Sequence, residues 1–208
     1  MVHSTLKYRF IYPFARFTVG LIHRGKVQGR EKIPEGPAII FSNHCHWSDP
    51  LLLIFMLGRF DQICFMAKAE LFRSPFLRAL FRAIGTFSVK RGAGDGNALD
   101  EAVARLKEGK KVGIFPEGTR TKVDGEMRPR GGFLRIADRA EVPLVPVYLE
   151  RERSLFKPAA VIVGDPISVD ELRDAETGRI NYPRVARELM DRIWALKADY
   201  FGAAKAAE

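Results

Sequence analysis

The sequence is poor in cysteine and in long apolar stretches. Its 208 residues include only two cysteines, Cys45 and Cys64, which is too few for a disulfide framework and typical of a chain that folds in a reducing compartment. The longest stretch free of Asp, Glu, Lys and Arg covers residues 36–48, whereas a membrane-spanning helix needs about 20 mainly apolar residues. The first residues also lack an apolar core with a cleavage site, so we expect neither a signal peptide nor a spanning helix.

Acidic residues are in deficit. The chain has 34 Lys and Arg against 25 Asp and Glu, a net charge of +9 and a pI near 9.8. Such a charge favours an anionic partner, which could be a nucleic acid, an anionic membrane or a phosphorylated substrate. The content of hydrophobic residues (47%) and charged residues (28%) is ordinary for a globular domain, which excludes disordered, collagen-like and disulfide-scaffold classes.

Metal ligands are also scarce. His44, His46 and Asp49 have a spacing loosely like that of metal ligands, but a hydrolytic zinc site commonly uses further histidines. The other two histidines, His3 and His23, lie in the basic N-terminal segment, and the chain has no Cys-x-x-Cys pair. We therefore expect no metal site.

Short apolar runs alternate with helical patterns along the chain. The runs predict strands at residues 38–42, 63–67, 86–89, 112–115, 144–149 and 160–163. The helical patterns lie at residues 50–57, 74–84, 96–107, 133–140 and 182–200. This alternation predicts an α/β fold, with a single three-layer domain around a mixed, mostly parallel central sheet.

An amphipathic N-terminal helix is predicted before this domain. Phe10, Phe14, Phe17 and Leu21 recur at helical spacing, with Arg and Lys between them. The pattern suits either a helix packed on the core or an interfacial anchor with its aromatic rings at the acyl boundary. We assign residues 1–32 to a basic-aromatic membrane-association segment, which precedes a single domain at residues 33–208.

A histidine and a carboxylate follow the first predicted strand. On one continuous helix His44 and Asp49 would point about 140° apart, but Pro50 favours the first helical position and disfavours the α conformation just before it. We therefore expect Asp49 to precede the helix and the intervening segment to be a loop. There the carboxylate can hold one imidazole nitrogen while the other takes a proton from a hydroxyl. The alternatives are a histidine satisfied by a local carboxylate and a Cys45 nucleophile.

A second cluster lies where the strand at 112–115 runs into the sequence Pro-Glu-Gly-Thr-Arg. Arg120 offers a planar fork for a phosphate, Thr119 can add a donor and Gly118 permits a tight turn. Glu117 needs a partner, because a carboxylate at the end of an apolar strand is costly to leave alone. Arg91 follows another short strand, so Arg91 and Arg120 could form a two-arginine phosphate clamp. The alternative is a surface turn with solvated arginines.

The order of these clusters resembles the four motifs of the glycerolipid acyltransferases, in particular the 1-acylglycerol-3-phosphate acyltransferase branch. The residues that carry the resemblance are Asn43-His44 with Asp49, then Arg91, then Phe-Pro-Glu-Gly-Thr-Arg at 115–120, then Val-Pro-Leu-Val-Pro-Val at 142–147. His46 and Lys90 depart from the residue types common in the family at those positions. Motifs and intervals cover about residues 33–163, so residues 33–208 are identified as an acyltransferase domain.

The resemblance implies a reaction and a role for each motif. An acyl group would pass from an acyl thioester, acyl-CoA or acyl carrier protein, to the sn-2 hydroxyl of 1-acylglycerol-3-phosphate, without a metal, a cofactor or an acyl-enzyme. His44 would be the general base and Asp49 its orienting partner. The acceptor's glycerol phosphate would be held by Arg91, Glu117, Gly118, Thr119 and Arg120. The expected location is cytoplasmic, peripheral on the cytoplasmic face of an anionic membrane that supplies the lysophospholipid.

Two other functions stay open from the sequence. One is an acyltransferase for a different lysolipid acceptor, such as a lyso-aminolipid. The other is a peripheral protein that binds lipid or nucleic acid without catalysis. Nucleic acid is not expected, because no known nucleic-acid-binding module is visible. Pure binding would also leave His44 and Asp49 without a role. The sequence does not indicate an oligomeric state.

Overall fold

A mixed seven-stranded sheet forms the centre of the computed structural model, which describes Pro13 and residues 26–57, 63–75, 78–79, 81, 84–89, 96–152 and 159–206. The strands are β1 (Lys26–Gln28), β2 (Ile39–Ser42), β3 (Ile63–Lys68), β4 (Phe87–Val89), β5 (Lys111–Ile114), β6 (Leu144–Leu149) and β7 (Ala160–Val163). Their spatial order is β1-β7-β6-β2-β5-β3-β4. The predicted N-terminal amphipathic helix lies outside the described residues, apart from Pro13.

Four α-helices have both ends within the described residues. They are α1 (Asp49–Leu52), α2 (Gly96–Lys107), α3 (Gly132–Ala140) and α4 (Tyr182–Ala206). Helix α1 widens into a π-helical turn over Leu53–Leu57, and short 3-10 turns occur at Arg30–Lys32, Ala69–Phe72 and Asp170–Leu172. Of the predicted helix at 74–84, residues 76, 77, 80, 82 and 83 lie outside the described residues, and residues 75, 78, 79 and 81 are helical.

The strands at the centre of the sheet are parallel. Strand β2 pairs in parallel with both β5 and β6, and β3 pairs in parallel with β5 and β4. Only β6 and β7 pair in antiparallel fashion among the described strands. Every residue of β2, β5, β6 and β7 is buried, as expected for strands covered on both faces. The carboxyl ends of β2, β5 and β6 therefore lie at one edge of the sheet.

Two hydrophobic layers cover the sheet, one on each face. On one face α2, α3 and α4 pack over side chains such as Ile39 and Phe41. On the other, α1 and its π-helical turn pack over Ile40 and Val145. Alternate residues of β2 thus point into opposite layers, which is the period-2 pattern of a strand. The predicted three-layer α/β domain with a mixed, mostly parallel sheet is confirmed.

Candidate active site

His44 and Asp49 form a hydrogen-bonded pair at the carboxyl end of β2. The Nδ1 atom of His44 lies 2.8 Å from Oδ2 of Asp49. The same Oδ2 accepts the backbone N–H groups of Cys45 at 2.7 Å and His46 at 2.8 Å, and the Asp49 side chain is fully buried. A carboxylate with three donors on one oxygen has a fixed position, so it holds the imidazole in one orientation.

The prediction that Asp49 precedes the helix is wrong by one residue. Helix α1 begins at Asp49, and Pro50 occupies one of its first two positions, where its missing N–H costs no hydrogen bond. The reason is a turn in which the Asp49 N–H donates to the carbonyl of His46 at 3.2 Å. This turn winds the chain into the helix early and directs the Asp49 carboxylate back over the amides of Cys45 and His46.

An aromatic stack fixes the plane of the His44 ring. Its centroid lies 4.2 Å from that of Phe115, with 17° between the planes, and Phe115 stacks in turn on Phe65 at 5.6 Å. Phe65 can lie there because its neighbour across the strands is Gly113, where a Cβ would approach the Phe65 ring to 2.2 Å. Among the described residues Nε2 of His44 has no hydrogen-bond partner. The side chain is 18% exposed, so Nε2 is available to an incoming hydroxyl.

Glu117 ties the turn after β5 to the loop after β2. Its Oε2 accepts the backbone N–H of His44 at 2.7 Å, and its Oε1 accepts the hydroxyl of Thr121 at 2.9 Å. Burial raises the pKa of the Glu117 carboxyl, and these two hydrogen bonds oppose that rise. The sequence placed Glu117 among the phosphate-holding residues, but in the structure both oxygens of this buried carboxylate bond to the protein. Its position supports the backbone of His44.

Thr121 and Arg151 complete this support, and sequence reasoning missed both. The Thr121 N–H donates to the carbonyl of His44 at 2.8 Å. Arg151 donates to the Thr121 carbonyl at 2.6 Å and to its hydroxyl at 3.0 Å. Arg151 also pairs with Asp124, which Lys197 contacts at 2.6 Å. Arg151 follows β6 outside any recognised motif, so no local signal marked it.

Asn43 holds β2 and β6 together just before His44. Its Nδ2 donates to the carbonyl of Leu149 at 2.8 Å, and its Oδ1 accepts the Leu149 N–H at 2.8 Å. The fully buried amide therefore extends the pairing of the two strands by one residue. These two hydrogen bonds give Asn43 a structural role, which its position in the motif did not indicate.

The remaining candidate phosphate-binding residues lie on an exposed turn. Gly118 has a φ of +69°, which favours glycine, and donates its N–H to the Phe115 carbonyl at 3.0 Å. Thr119 and Arg120 are exposed, and Arg120 makes no ion pair with a described residue. Arg91 lies outside the described residues, so the two-arginine clamp stays a prediction.

A cavity of about 520 Å³ opens at the same edge of the sheet. We call it the Phe115 cavity. It lies between the carboxyl ends of β3 and β5 and the N-terminal ends of α2, α3 and α4. Its lining includes Met66, Leu99, Phe115, Arg130, Phe133, Arg135, Ile136 and Tyr182. Phe115 both lines this cavity and stacks on His44, so one aromatic ring separates the cavity from the imidazole.

Across the described residues, His, Cys, Asp and Glu side chains nowhere form a group of three or more that could hold a metal ion. Within the part of the chain that the structure describes, no helix combines the length and apolar character that crossing a membrane requires.

The two cysteines have different environments, which gives a test of the Cys45 alternative. Burial raises the pKa of the Cys64 thiol to about 11, whereas Cys45 is half-buried, with its Sγ 3.9 Å from Asp49 Oδ1. We expect iodoacetamide at pH 8 to label Cys45 and spare Cys64 in the folded protein, as mass spectrometry would show. We also expect Cys45→Ser to retain acyl transfer. Loss of transfer in this variant, together with a thioester trapped on Cys45 of the wild-type protein, would identify Cys45 as the nucleophile.

Comparison with known proteins places the chain in a family. A family model described as Acyltransferase matches residues 24–150. The 1-acyl-sn-glycerol-3-phosphate acyltransferase of Bacillus subtilis is 31% identical over 166 residues, 77% of this chain and 82% of that protein. A lyso-ornithine lipid O-acyltransferase of Pseudomonas aeruginosa is 31% identical over 153 residues, 73% of this chain but only 57% of that protein.

A solved structure supports the same assignment. The crystal structure of the 1-acyl-sn-glycerophosphate acyltransferase PlsC from Thermotoga maritima has a TM-score of 0.69 and 26% sequence identity, over 92% of this chain and 80% of that one. The family model covers well over half of this chain, and it spans β2, β5 and β6 together with the loops that carry His44, Asp49 and Glu117. The chain belongs to the Acyltransferase family.

Proposed function

We propose that this protein transfers an acyl group from a thioester to the sn-2 hydroxyl of 1-acylglycerol-3-phosphate and so forms phosphatidic acid. The observation that carries the proposal is the His44–Asp49 pair, held at 2.8 Å, with Nε2 of His44 left for an incoming hydroxyl. Relatives named as acyltransferases for this acceptor, in Bacillus subtilis and Thermotoga maritima, support it.

His44 acts as the general base of the transfer. Its Nε2 removes the hydroxyl proton while the hydroxyl oxygen attacks the thioester carbonyl carbon. A new C–O bond forms, the C–S bond breaks, and the proton passes from His44 to the departing thiolate. Asp49 stabilises the imidazolium that exists between these steps. The base is a side chain, so the proposal needs no metal or other cofactor.

The acceptor phosphate binds at the exposed turn after β5. Arg120 is free of described ion-pair partners, and a guanidinium can hold a phosphate with two parallel hydrogen bonds. Thr119 adds a hydroxyl donor, and Arg91 is the proposed second cation. Glu117 is not a phosphate ligand in this proposal, because a buried carboxylate bonded to His44 and Thr121 would repel the phosphate charge.

Both proposed substrates are anionic or are presented by an anionic partner. The net charge of +9 suits acyl-CoA, an acidic carrier protein and an anionic membrane alike. We propose that the protein works peripherally on the cytoplasmic face of such a membrane, with residues 1–32 contributing to the attachment. Attachment to the membrane surface would place the active site beside the lipid headgroups on which it acts.

Lyso-ornithine lipid is a second candidate acceptor, to be compared with lysophosphatidic acid. The Pseudomonas aeruginosa relative named for that acceptor is as similar in identity as the Bacillus subtilis one, at 31%. Ornithine lipid carries an amino acid, whose carboxylate is offset by a cationic amine, in place of a phosphate. The exposed Arg120 therefore favours the more negatively charged, phosphorylated acceptor. The two acceptors are therefore separate arms of the same experiment.

The decisive assay uses the purified full chain with palmitoyl-CoA and oleoyl-lysophosphatidic acid. We expect thiol release that requires the acceptor, together with phosphatidic acid seen by mass spectrometry. Parallel reactions contain palmitoyl-acyl carrier protein as donor and lyso-ornithine lipid as acceptor. Turnover with lyso-ornithine lipid but not with lysophosphatidic acid would identify lyso-ornithine lipid as the acceptor. No turnover in any of these reactions would contradict acyl transfer.

Replacing Arg120 by glutamine tests the acceptor site. A charge-assisted hydrogen bond contributes about 1.5–3 kcal/mol, so the KM for lysophosphatidic acid should rise roughly 10-fold or more with little change in the KM for palmitoyl-CoA. Arg192→Gln, an exposed arginine on α4, is the matched control. Equal acceptor KM values in wild type and Arg120→Gln would contradict a phosphate at this turn.

A further inference from the structure

Two arginines at the Phe115 cavity lack acidic partners. Arg130 and Arg135 both line the cavity and are exposed, and neither pairs with a carboxylate among the described residues. Their positive charge is therefore not neutralised locally. Two unpaired guanidinium groups at one opening attract an anion.

The four carboxylates between residues 117 and 138 all have other partners. Asp124 pairs with Arg151 and Lys197, and Asp138 pairs with Arg173. Glu126 accepts the backbone N–H of Lys122 at 2.6 Å and that of Val123 at 3.3 Å. Glu117 bonds to His44 and Thr121. No described acid from these segments is left to compete for the two arginines.

Each arginine contacts a neighbouring residue of the cavity lining. The guanidinium of Arg135 lies 5.4 Å from the centroid of the Tyr182 ring, a cation–π contact. Arg130 donates its backbone N–H to the carbonyl of Pro116 at 2.8 Å. Its Nε would lie 3.2 Å from a Cβ at Gly118, so its side chain packs closely over the exposed turn. The two charges thus border the turn that carries Arg120.

Below these charges the cavity wall is apolar. Leu99, Phe133 and Ile136 line it, and its volume of about 520 Å³ falls in the range of small-molecule sites, roughly 300–1,000 Å³. Cations at the opening and an apolar interior match a ligand that has an anionic head and a hydrocarbon chain. A purely polar anion would leave the apolar wall unused.

We propose that the Phe115 cavity binds a phosphate-bearing acyl ligand, with its phosphate on Arg130 and Arg135 and its chain against Leu99, Phe133 and Ile136. The identity of the ligand rests on the proposed function, which supplies two sources of this chemistry. One is lysophosphatidic acid, whose phosphate would then be shared with Arg120 on the adjoining turn, and the other is acyl-CoA. Phe115 separates the cavity from His44, so either ligand would lie one ring away from the base.

Binding of decyl phosphate below its critical micelle concentration tests the site without any turnover. In isothermal titration calorimetry on the full chain, we expect the double variant Arg130→Gln/Arg135→Gln to bind decyl phosphate roughly 10-fold or more weakly than wild type. Arg139→Gln is the matched control, because Arg139 lies on the same helix α3 and pairs with Asp100 at 2.8 Å. Equal affinity in wild type and double variant would overturn the proposal, as would an equal loss in the control.

A second variant tests the apolar part. Gly132 lines the cavity, and a Cβ there would meet no atom within 4 Å, so a side chain at this position begins in open space. Gly132→Leu is expected to occupy part of the cavity. We expect Gly132→Leu to weaken the binding of decyl phosphate while leaving the thermal unfolding temperature near that of wild type. If a folded Gly132→Leu protein bound decyl phosphate with unchanged affinity, the alkyl chain would not lie in this cavity, and the proposal would be overturned.

Steady-state kinetics distinguish whether the cavity binds lysophosphatidic acid or acyl-CoA. In the double variant, a rise in KM for lysophosphatidic acid alone would assign the cavity to the acceptor, and a rise for palmitoyl-CoA alone would assign it to the donor. No rise in either KM would overturn the assignment to a substrate. Arginine-dependent binding by a protein without turnover would contradict the proposed function and leave the site standing, so the two failures are distinguishable.

Discussion

Replacing His44 by alanine is expected to abolish nearly all acyl transfer. A general base contributes roughly 10²–10⁴-fold to a rate. In the proposed mechanism the Nε2 atom of His44 is the group that accepts the hydroxyl proton. We expect kcat to fall by about that factor while the KM values change little, because the phosphate-holding arginines stay in place. Stopped assays of phosphatidic acid formation would measure the loss.

His46 gives this experiment a matched control. It lies in the same loop, but its ring is exposed and its Nδ1 lies 2.8 Å from the hydroxyl of Ser48. Only its backbone N–H contacts Asp49, and alanine retains that group. His46→Ala should therefore keep most of the activity, and near-normal turnover in His44→Ala would end the assignment of His44 as the base.

Asp49→Asn is expected to lower kcat by a similar factor, roughly 10²–10⁴-fold. Asparagine keeps an oxygen that can accept the backbone N–H groups of Cys45 and His46, so the loop should keep its conformation. The negative charge that stabilises the His44 imidazolium is lost, because the amide is neutral. The loss should appear in kcat far more than in either KM.

The control for this substitution is an aspartate outside the site. Asp165 is 82% exposed and pairs with Lys32 at 3.0 Å, so Asp165→Asn should leave kcat unchanged. Thermal unfolding of both variants would separate a loss of charge from a loss of fold. A folded Asp49→Asn protein with normal kcat would show that the carboxylate only shapes the loop, and would contradict its proposed part in the proton transfer.

The longer apolar runs predicted their elements well because their patterns are local. Strands β6 and β7 have the predicted limits, as does helix α2. Strand β1 was missed, since its three residues, Lys-Val-Gln, carry one apolar side chain and form a strand only by pairing with β7. The π-helical turn at Leu53–Leu57 was also missed, because its apolar run is equally compatible with an α-helix.

The pairing of His44 with Asp49 was predictable from the sequence, because the two residues are only five positions apart, between the end of β2 and the start of α1. The sequence did not reveal what supports them. Glu117 reaches His44 across 73 residues, and Arg151 reaches Thr121 across 30. These contacts exist because β2 lies between β5 and β6, and their carboxyl ends meet at one edge. That strand order, and the cavity formed where α2, α3 and α4 begin, depend on packing between distant segments, which local spacing does not encode.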